Sequence, residues 1–207
     1  IIASNIDQVF LLVTIDNPPT FTSFIDRFLV TAEAYSINTI LLFNKIDSYS
    51  EETLLEVKYL SNIYRKIGYK CIEISAKSGH NIDKVKSLML DKVSMFAGHS
   101  GVGKSTLVNT FAEMFDLSFD AKIIDTPGIK GFGVVDMEKE EVGDYFPEFF
   151  ELKQDCKFNN CLHLKEPKCA VKAALENDEI SYSRYRSYLQ ILEGEDEHYR
   201  TDNWDNE

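Results

Sequence analysis

The chain has 207 residues, 44% of them apolar and 27% charged, and its net charge is −12. That is the composition of one globular domain of ordinary size with a small appendage. The acidity excludes a chain that binds DNA or RNA by overall charge alone, and the longest apolar stretch, the seven residues Val9–Ile15 with one polar position at Thr14, is too short to cross a bilayer.

Ile1–Asp7 has neither a basic stretch nor an apolar signal core, so no export signal is read there. A first residue other than methionine suggests that upstream residues are missing. Gln8–Ile15 reads as a buried strand stopped by Asp16-Asn17-Pro18-Pro19. Phe21–Tyr35 has helical spacing, Thr39–Phe43 is a buried strand, and Glu51–Ile67 is a helix with Leu54, Leu55, Val57, Leu60 and Ile63 apolar. Tyr69–Ile74 is a strand, Asn81–Asp91 a helix, Val93–Ala97 a strand, Lys104–Phe115 a helix and Ala121–Ile124 a strand. Strands alternating with helices imply an α/β fold with a doubly wound parallel sheet. Ligands bind past the carboxyl ends of such strands.

Gly98-His99-Ser100-Gly101-Val102-Gly103-Lys104-Ser105-Thr106 follows a strand and opens a helix, in the pattern G-x-x-x-x-G-K-[ST]. Its glycines let backbone N–H groups wrap phosphates, and the helix aims its positive end at them. Lys104 reaches the β and γ phosphates in this reading, and the Ser105 hydroxyl ligates Mg²⁺. Asp125-Thr126-Pro127-Gly128 is the companion motif: Asp125 holds the Mg²⁺ shell and the Gly128 amide senses the γ-phosphate. His99 lies inside the phosphate loop but is not assigned as a base.

Asn44-Lys45-Ile46-Asp47 follows another buried strand. The Asp47 carboxylate can accept the ring N–H and the amine of guanine together, a pattern that adenine lacks. Asn44 is expected to tie this loop to the phosphate loop, and the Lys45 stem to cover the base. Ser75-Ala76-Lys77 closes the other side with a backbone N–H toward the guanine oxygen. The base-reading box precedes the phosphate loop, the reverse of the ordinary order. Joining the termini of a doubly wound domain and cutting it elsewhere preserves the sheet and changes only the order of the boxes. The helix Asn81–Asp91 would be the join.

Three of the four cysteines lie together, as Cys156-x₄-Cys161-x-His163-x₅-Cys169. With no export signal, that set points to metal rather than disulfides, and its spacing suits a closed structural Zn²⁺ site. Pro167–Asn177 and Glu179–Leu192 look helical, with Tyr182, Tyr185, Tyr188 and Leu189 on one face. Packing is the expected role of that face, and base stacking beside Arg184 and Arg186 the alternative. The segment 151–190 holds seven bases and six acids, whereas 191–207 holds seven acids and one base, a solvated tail. The expected division is 1–150 for a permuted nucleotide domain and 151–207 for a zinc-binding helical module.

These motifs together resemble one family. NKID, SAKSG, GHSGVGKSTLVN, DTPGIKGFG and the C-x₄-C-x-H-x₅-C set look like the ribosome small-subunit-dependent GTPase A family (RsgA, also called YjeQ). The opening IASNIDQ and the closing CLHLKEPKCAVKAALENDEISYSRYRSYLQIL look like it too. The resemblance covers nearly the whole chain. It implies a cytoplasmic, circularly permuted P-loop GTPase, monomeric, using GTP/GDP, Mg²⁺ and one structural Zn²⁺. It also implies binding to the maturing small ribosomal subunit and its rRNA, with faster hydrolysis on that particle.

Two departures stand out. The family's N-terminal OB-fold domain is not visible. The interval between Phe115 and Lys122 contains neither the switch threonine nor the histidine that the resemblance leads one to expect. Either a segment of the sequence is missing there or hydrolysis is impaired. Ile129 follows DTPG where Ras-like proteins orient water with glutamine, so slow intrinsic turnover is expected and no catalytic base is assigned.

Overall fold

Val9–Val13 is apolar at every position, and it forms a strand with all side chains buried. Such a strand must be covered on both faces, which is the situation of a parallel sheet. The computed structural model describes residues 6–114, 122–125 and 137–194. The motif Thr126–Gly128, Ile129, the short interval 115–121 and the acidic tail from residue 195 lie outside the described residues. The chain divides into two compact units, Ile1–Gly133 and Val134–Glu207.

In the first unit the described elements run β1 (Gln8–Val13), α1 (Thr22–Ala34), β2 (Asn38–Phe43), α2 (Glu51–Ile67), β3 (Lys70–Glu73), α3 (Ile82–Met89), β4 (Val93–Ala97), α4 (Lys104–Met114) and β5 (Lys122–Asp125). The strands form one sheet in the order β3-β2-β1-β4-β5, every pairing parallel. Alternation along β1 sends Val9, Leu11 and Val13 to one face, against Ile25, Phe28 and Leu29 of α1 and Val57, Leu60 and Tyr64 of α2. Phe10 and Leu12 go to the other face, against Ile82, Val85 and Met89 of α3 and Leu107 and Phe111 of α4. The sheet is therefore doubly wound. The winding reverses between β1 and β4, so the crevice for a ligand lies where the loops after those two strands meet.

The expected strands and helices appear with their ends shifted by a few residues. One detail of α2 differs. Leu55, expected on the apolar face, is 64% exposed, and Ser61 and Tyr64 are buried in its place. The helix has an N-cap at Ser50, whose side chain accepts the Thr53 N–H, and a left-handed Gly68 at its end. These ends fix its phase, and that phase turns Leu55 outward.

The second unit holds α5 (Lys139–Val142), α6 (Pro147–Lys153), α7 (Ala170–Glu176) and α8 (Tyr182–Glu193). Phe146, Phe149 and Tyr188 form its aromatic centre, with rings 5.0 to 5.6 Å apart. α5 and α6 thus group with the C-terminal unit, ahead of the join expected after residue 150. Tyr188 is buried and Tyr185 half-buried, as a packing face requires, but Tyr182 is 73% exposed. Arg184 is not available for stacking on a base. It is buried, donates from Nε and Nη2 to the two oxygens of Glu148 at 2.7 and 3.1 Å, and lies 4.5 Å from the Phe146 ring centre. A guanidinium removed from water needs such a bidentate partner.

Candidate guanine-nucleotide site and metal centre

The phosphate loop leaves the end of β4 at Gly98 and enters α4 at Lys104. Gly103 has φ +93°, and a Cβ there would run into the Asn44 amide nitrogen. The glycine is therefore required both by the turn and by its neighbour. Val102 is buried and Lys104 is 9% exposed, while Ser100, Ser105 and Thr106 face solvent.

Asn44 is the residue that unites the boxes. Its Nδ2 donates to the Val102 carbonyl at 2.8 Å, and its Oδ1 accepts the Ala76 N–H at 3.0 Å. One buried side chain thus holds the phosphate loop, the base-reading loop and the closing loop together, although 58 residues separate Asn44 from Val102. Thr110 of α4 adds a second tie, donating to the Ala76 carbonyl at 2.9 Å. Asn44→Ala leaves a buried carbonyl and a buried N–H unpaired, each at a cost of about 1–3 kcal/mol. GDP affinity is expected to fall on the order of a hundredfold, read by titration with a fluorescent GDP.

Lys45 sits in the left-handed region at φ +68°, and a 3₁₀ turn at Ile46–Ser48 follows it. That turn presents Asp47 exposed at the strand ends. Ser75 is buried and organises the closing loop by accepting the Ser78 N–H on its hydroxyl at 2.9 Å. With the Ala76 N–H engaged by Asn44, Lys77 offers the next open amide among the described residues. β5 ends at Asp125, paired in register with Phe96 of β4, which sets the backbone of Asp125 one strand from the phosphate loop. The Asp125 side chain and Gly128 lie outside the described residues. His99 packs against Phe24 of α1, ring centres 3.7 Å apart and tilted by 36°, and burial lowers its pKa. A ring packed in this way is a structural element of the loop.

In the second unit the ligand atoms of Cys156, Cys161, His163 and Cys169 all lie within 4.8 Å of one another, and all four residues are buried. Cys156 Sγ and Cys169 Sγ are 3.9 Å apart, and His163 Nδ1 lies 3.7 and 3.3 Å from them. A tetrahedron with Zn–S bonds near 2.3 Å has S···S edges of about 3.8 Å, so the donor set fits zinc. The Ala170 and Lys172 N–H groups donate to Cys156 and Cys169 Sγ, at 3.4 Å each, which suits thiolates.

The loop carrying the ligands is itself held. Tyr185 and Tyr188 hydroxyls donate to the His163 and Leu162 carbonyls at 2.7 Å each. The Glu166 carboxylate accepts the Leu162 and Leu164 N–H groups at 3.0 and 2.7 Å. Burial alone would raise Glu166, but its backbone hydrogen bonds outweigh that and lower its pKa. Burial pushes the Cys161 thiol up to about 12 and raises Cys169, so ionising either requires a cation beside it.

Sequence reasoning missed Glu148 and Tyr49. The first is the partner that Arg184 requires. The second accepts the Ile15 N–H on its hydroxyl at 3.0 Å, just past the turn that carries Asp47. Pro147 at the start of α6 was a legible signal for the helix around Glu148. No pattern in the sequence marks Tyr49.

A model of the RsgA GTPase family matches residues 1–113. The chain is 64% identical to the small ribosomal subunit biogenesis GTPase RsgA of Christiangramia forsetii, over 99% of this chain and 72% of that protein. It is 66% identical to the protein of the same name in Flavobacterium johnsoniae, over 98% and 70%. The first alignment runs over 228 positions against 207 residues here, a difference of 21, so that relative carries residues without a counterpart in this chain. Among solved structures, YjeQ from Thermotoga maritima matches with a TM-score of 0.84 and 40% identity, over 92% of this chain and 71% of that one. YloQ, described as a circularly permuted GTPase, matches at 0.82 and 36%, over 92% and 68%. With these matches and the reversed order of its boxes, the chain belongs to the RsgA GTPase family.

Proposed function

We propose that the chain is a GTP hydrolase that binds the small ribosomal subunit and its rRNA and acts in late maturation of that particle, which stimulates its turnover. The reading rests above all on the Asn44 clamp, which brings a guanine-type box to a phosphate loop. The names of the relatives support the ribosomal part. The nucleotide-handling residues are expected within 1–150 and the zinc ligands within 151–207, in a monomer. Among the described residues no helix is long and apolar enough to cross a membrane.

In this reading the amides of Gly98–Ser105 and Lys104 hold the phosphates, while Asp47 reads the base edge. Asn44 and Ala76 keep the loops that do this at a fixed separation. Mg²⁺ would be held by Ser105, with Asp125 in its shell, and would supply positive charge to the phosphates. Ile129 offers no group to orient water, so the group that completes hydrolysis comes from elsewhere. The second reading is a GTP-gated assembly factor with negligible hydrolysis, and Ile129 together with the short 115–121 interval favours it. Both readings expect co-sedimentation with isolated small subunits in a non-hydrolysable GTP analogue and release in GDP. Equal sedimentation in the two nucleotides removes both.

A further inference from the structure

The loop after β1 lies at the switch point of the sheet, between the base box and the phosphate loop, and no motif accounts for it. It touches both neighbours. On the base-box side the Lys45 Nζ donates to the Asn17 carbonyl at 2.5 Å, and the Ile15 N–H donates to the Tyr49 hydroxyl at 3.0 Å. On the phosphate side the Pro18 ring sits 3.2 Å from where a Cβ on Gly101 would lie, and Gly101 has φ +84°. The positive φ favours glycine here, and a side chain would press on the Pro18 ring.

The loop is also held from beneath. Thr14 and Thr20, fully and almost fully buried, form a staple at its base. The Thr14 hydroxyl donates to the Pro18 carbonyl at 2.5 Å, the Thr14 N–H donates to the Thr20 hydroxyl at 3.1 Å, and the Thr20 N–H donates to the Thr14 carbonyl at 2.8 Å. A hydroxyl that fixes Pro18 therefore fixes the wall of the phosphate loop. The adjoining carbonyl of Asn17 fixes the lysine expected to cover the base.

We infer that the loop Thr14–Thr20 is a bracket that sets how fast guanine nucleotide leaves, with Thr14 and Tyr49 as positioning residues that act through Lys45 and the phosphate loop. This rests on the reading of the nucleotide site given above. To release its ligand the crevice must part the base box from the phosphate loop, and the bracket ties the two from one side as Asn44 does from the other.

The test is dissociation of methylanthraniloyl-GDP from the full chain, chased with excess GDP, for wild type, Thr14→Val, Thr14→Ser and Tyr49→Phe. Valine keeps the shape and loses the hydroxyl, serine keeps the hydroxyl, and phenylalanine removes the acceptor of the Ile15 N–H. Dissociation is expected to speed up about three- to tenfold in Thr14→Val and Tyr49→Phe, the scale of one hydrogen bond. Thr14→Ser stays within about twofold of wild type, and association rates stay unchanged. Wild-type rates in both Thr14→Val and Tyr49→Phe overturn the inference. So does Thr14→Ser behaving like Thr14→Val, which would show that packing and not the hydroxyl matters. If Thr14→Val fails to fold, Tyr49→Phe decides alone. If the wild type itself does not retain the probe, the nucleotide-site reading falls first and the bracket with it.

Discussion

Cys161→Ser, or removal of metal from the full chain by a chelator, is expected to melt α6, α7 and α8. The unit that carries these helices has a small core, built on Phe146, Phe149 and Tyr188 with the aliphatic side chains of Val142, Val171, Ala174, Ile180, Ile191 and Leu192. A core of that size does not hold a fold by itself, and a tetrahedral zinc site supplies on the order of 10 kcal/mol. The ligand loop is short and irregular, and its fixed points are the four ligand residues, the two tyrosine hydroxyls and Glu166. Loss of one thiolate releases the loop and, with it, the carbonyls that Tyr185 and Tyr188 hold. Far-UV circular dichroism reads the helix loss, and metal analysis should give one zinc per chain in the wild type and none in the variant. The sign with pH follows from the thiols. Burial holds Cys161 up near 12, so metal must displace protons to bind, and zinc retention weakens as pH falls. Full helicity after complete metal removal would show that the aromatic core suffices.

Asp47→Asn is expected to exchange one base for another. The carboxylate accepts two hydrogen bonds, whereas an amide offers one acceptor and one donor. The donor confronts the guanine amine and matches the oxygen that xanthine carries in its place. Discrimination built on buried polar groups reaches about 10⁴-fold. Competition against a fluorescent guanine nucleotide should therefore show GDP weakened on that order and xanthosine diphosphate strengthened. Asp47 is well placed for this, on a turn whose backbone is pinned by Ser48 N–H to Lys45 carbonyl and Ile46 N–H to Ile74 carbonyl. Unchanged preference in Asp47→Asn would mean that the base is read elsewhere.

Much of this was legible because it depends on local chemistry. Glycines at 98, 101 and 103 announce a loop with positive φ, and all three have it. Strand and helix order followed from periodicity, and the sheet has helices on both faces, as a doubly wound fold requires. Asn44 could be expected to act as a tie because its box and the phosphate loop both lie past the carboxyl ends of strands. The spacing of Cys156, Cys161, His163 and Cys169 pointed to the cluster that the fold brings together.

What could not be read depends on pairing across distance. In sequence Arg184 stays open to the alternative RNA-facing role, because the Glu148 that neutralises it is 36 residues away. Leu55 looks like core because periodicity tolerates it, and the caps of α2 decide otherwise. The bracket after β1 was read only as a chain break at Asp16–Pro19. Its ties to Lys45, Tyr49 and Gly101 exist only once the sheet is assembled.

The most direct measurement is GTP turnover by the full chain, alone and with isolated small ribosomal subunits, with ATP run in parallel. The account expects slow turnover alone, strong stimulation by the subunit, and no stimulated turnover of ATP. Flat GTP turnover on the subunit would contradict the hydrolytic reading and leave a nucleotide-gated binder. Equal turnover of ATP would contradict the assignment of Asp47 and, with it, the guanine site.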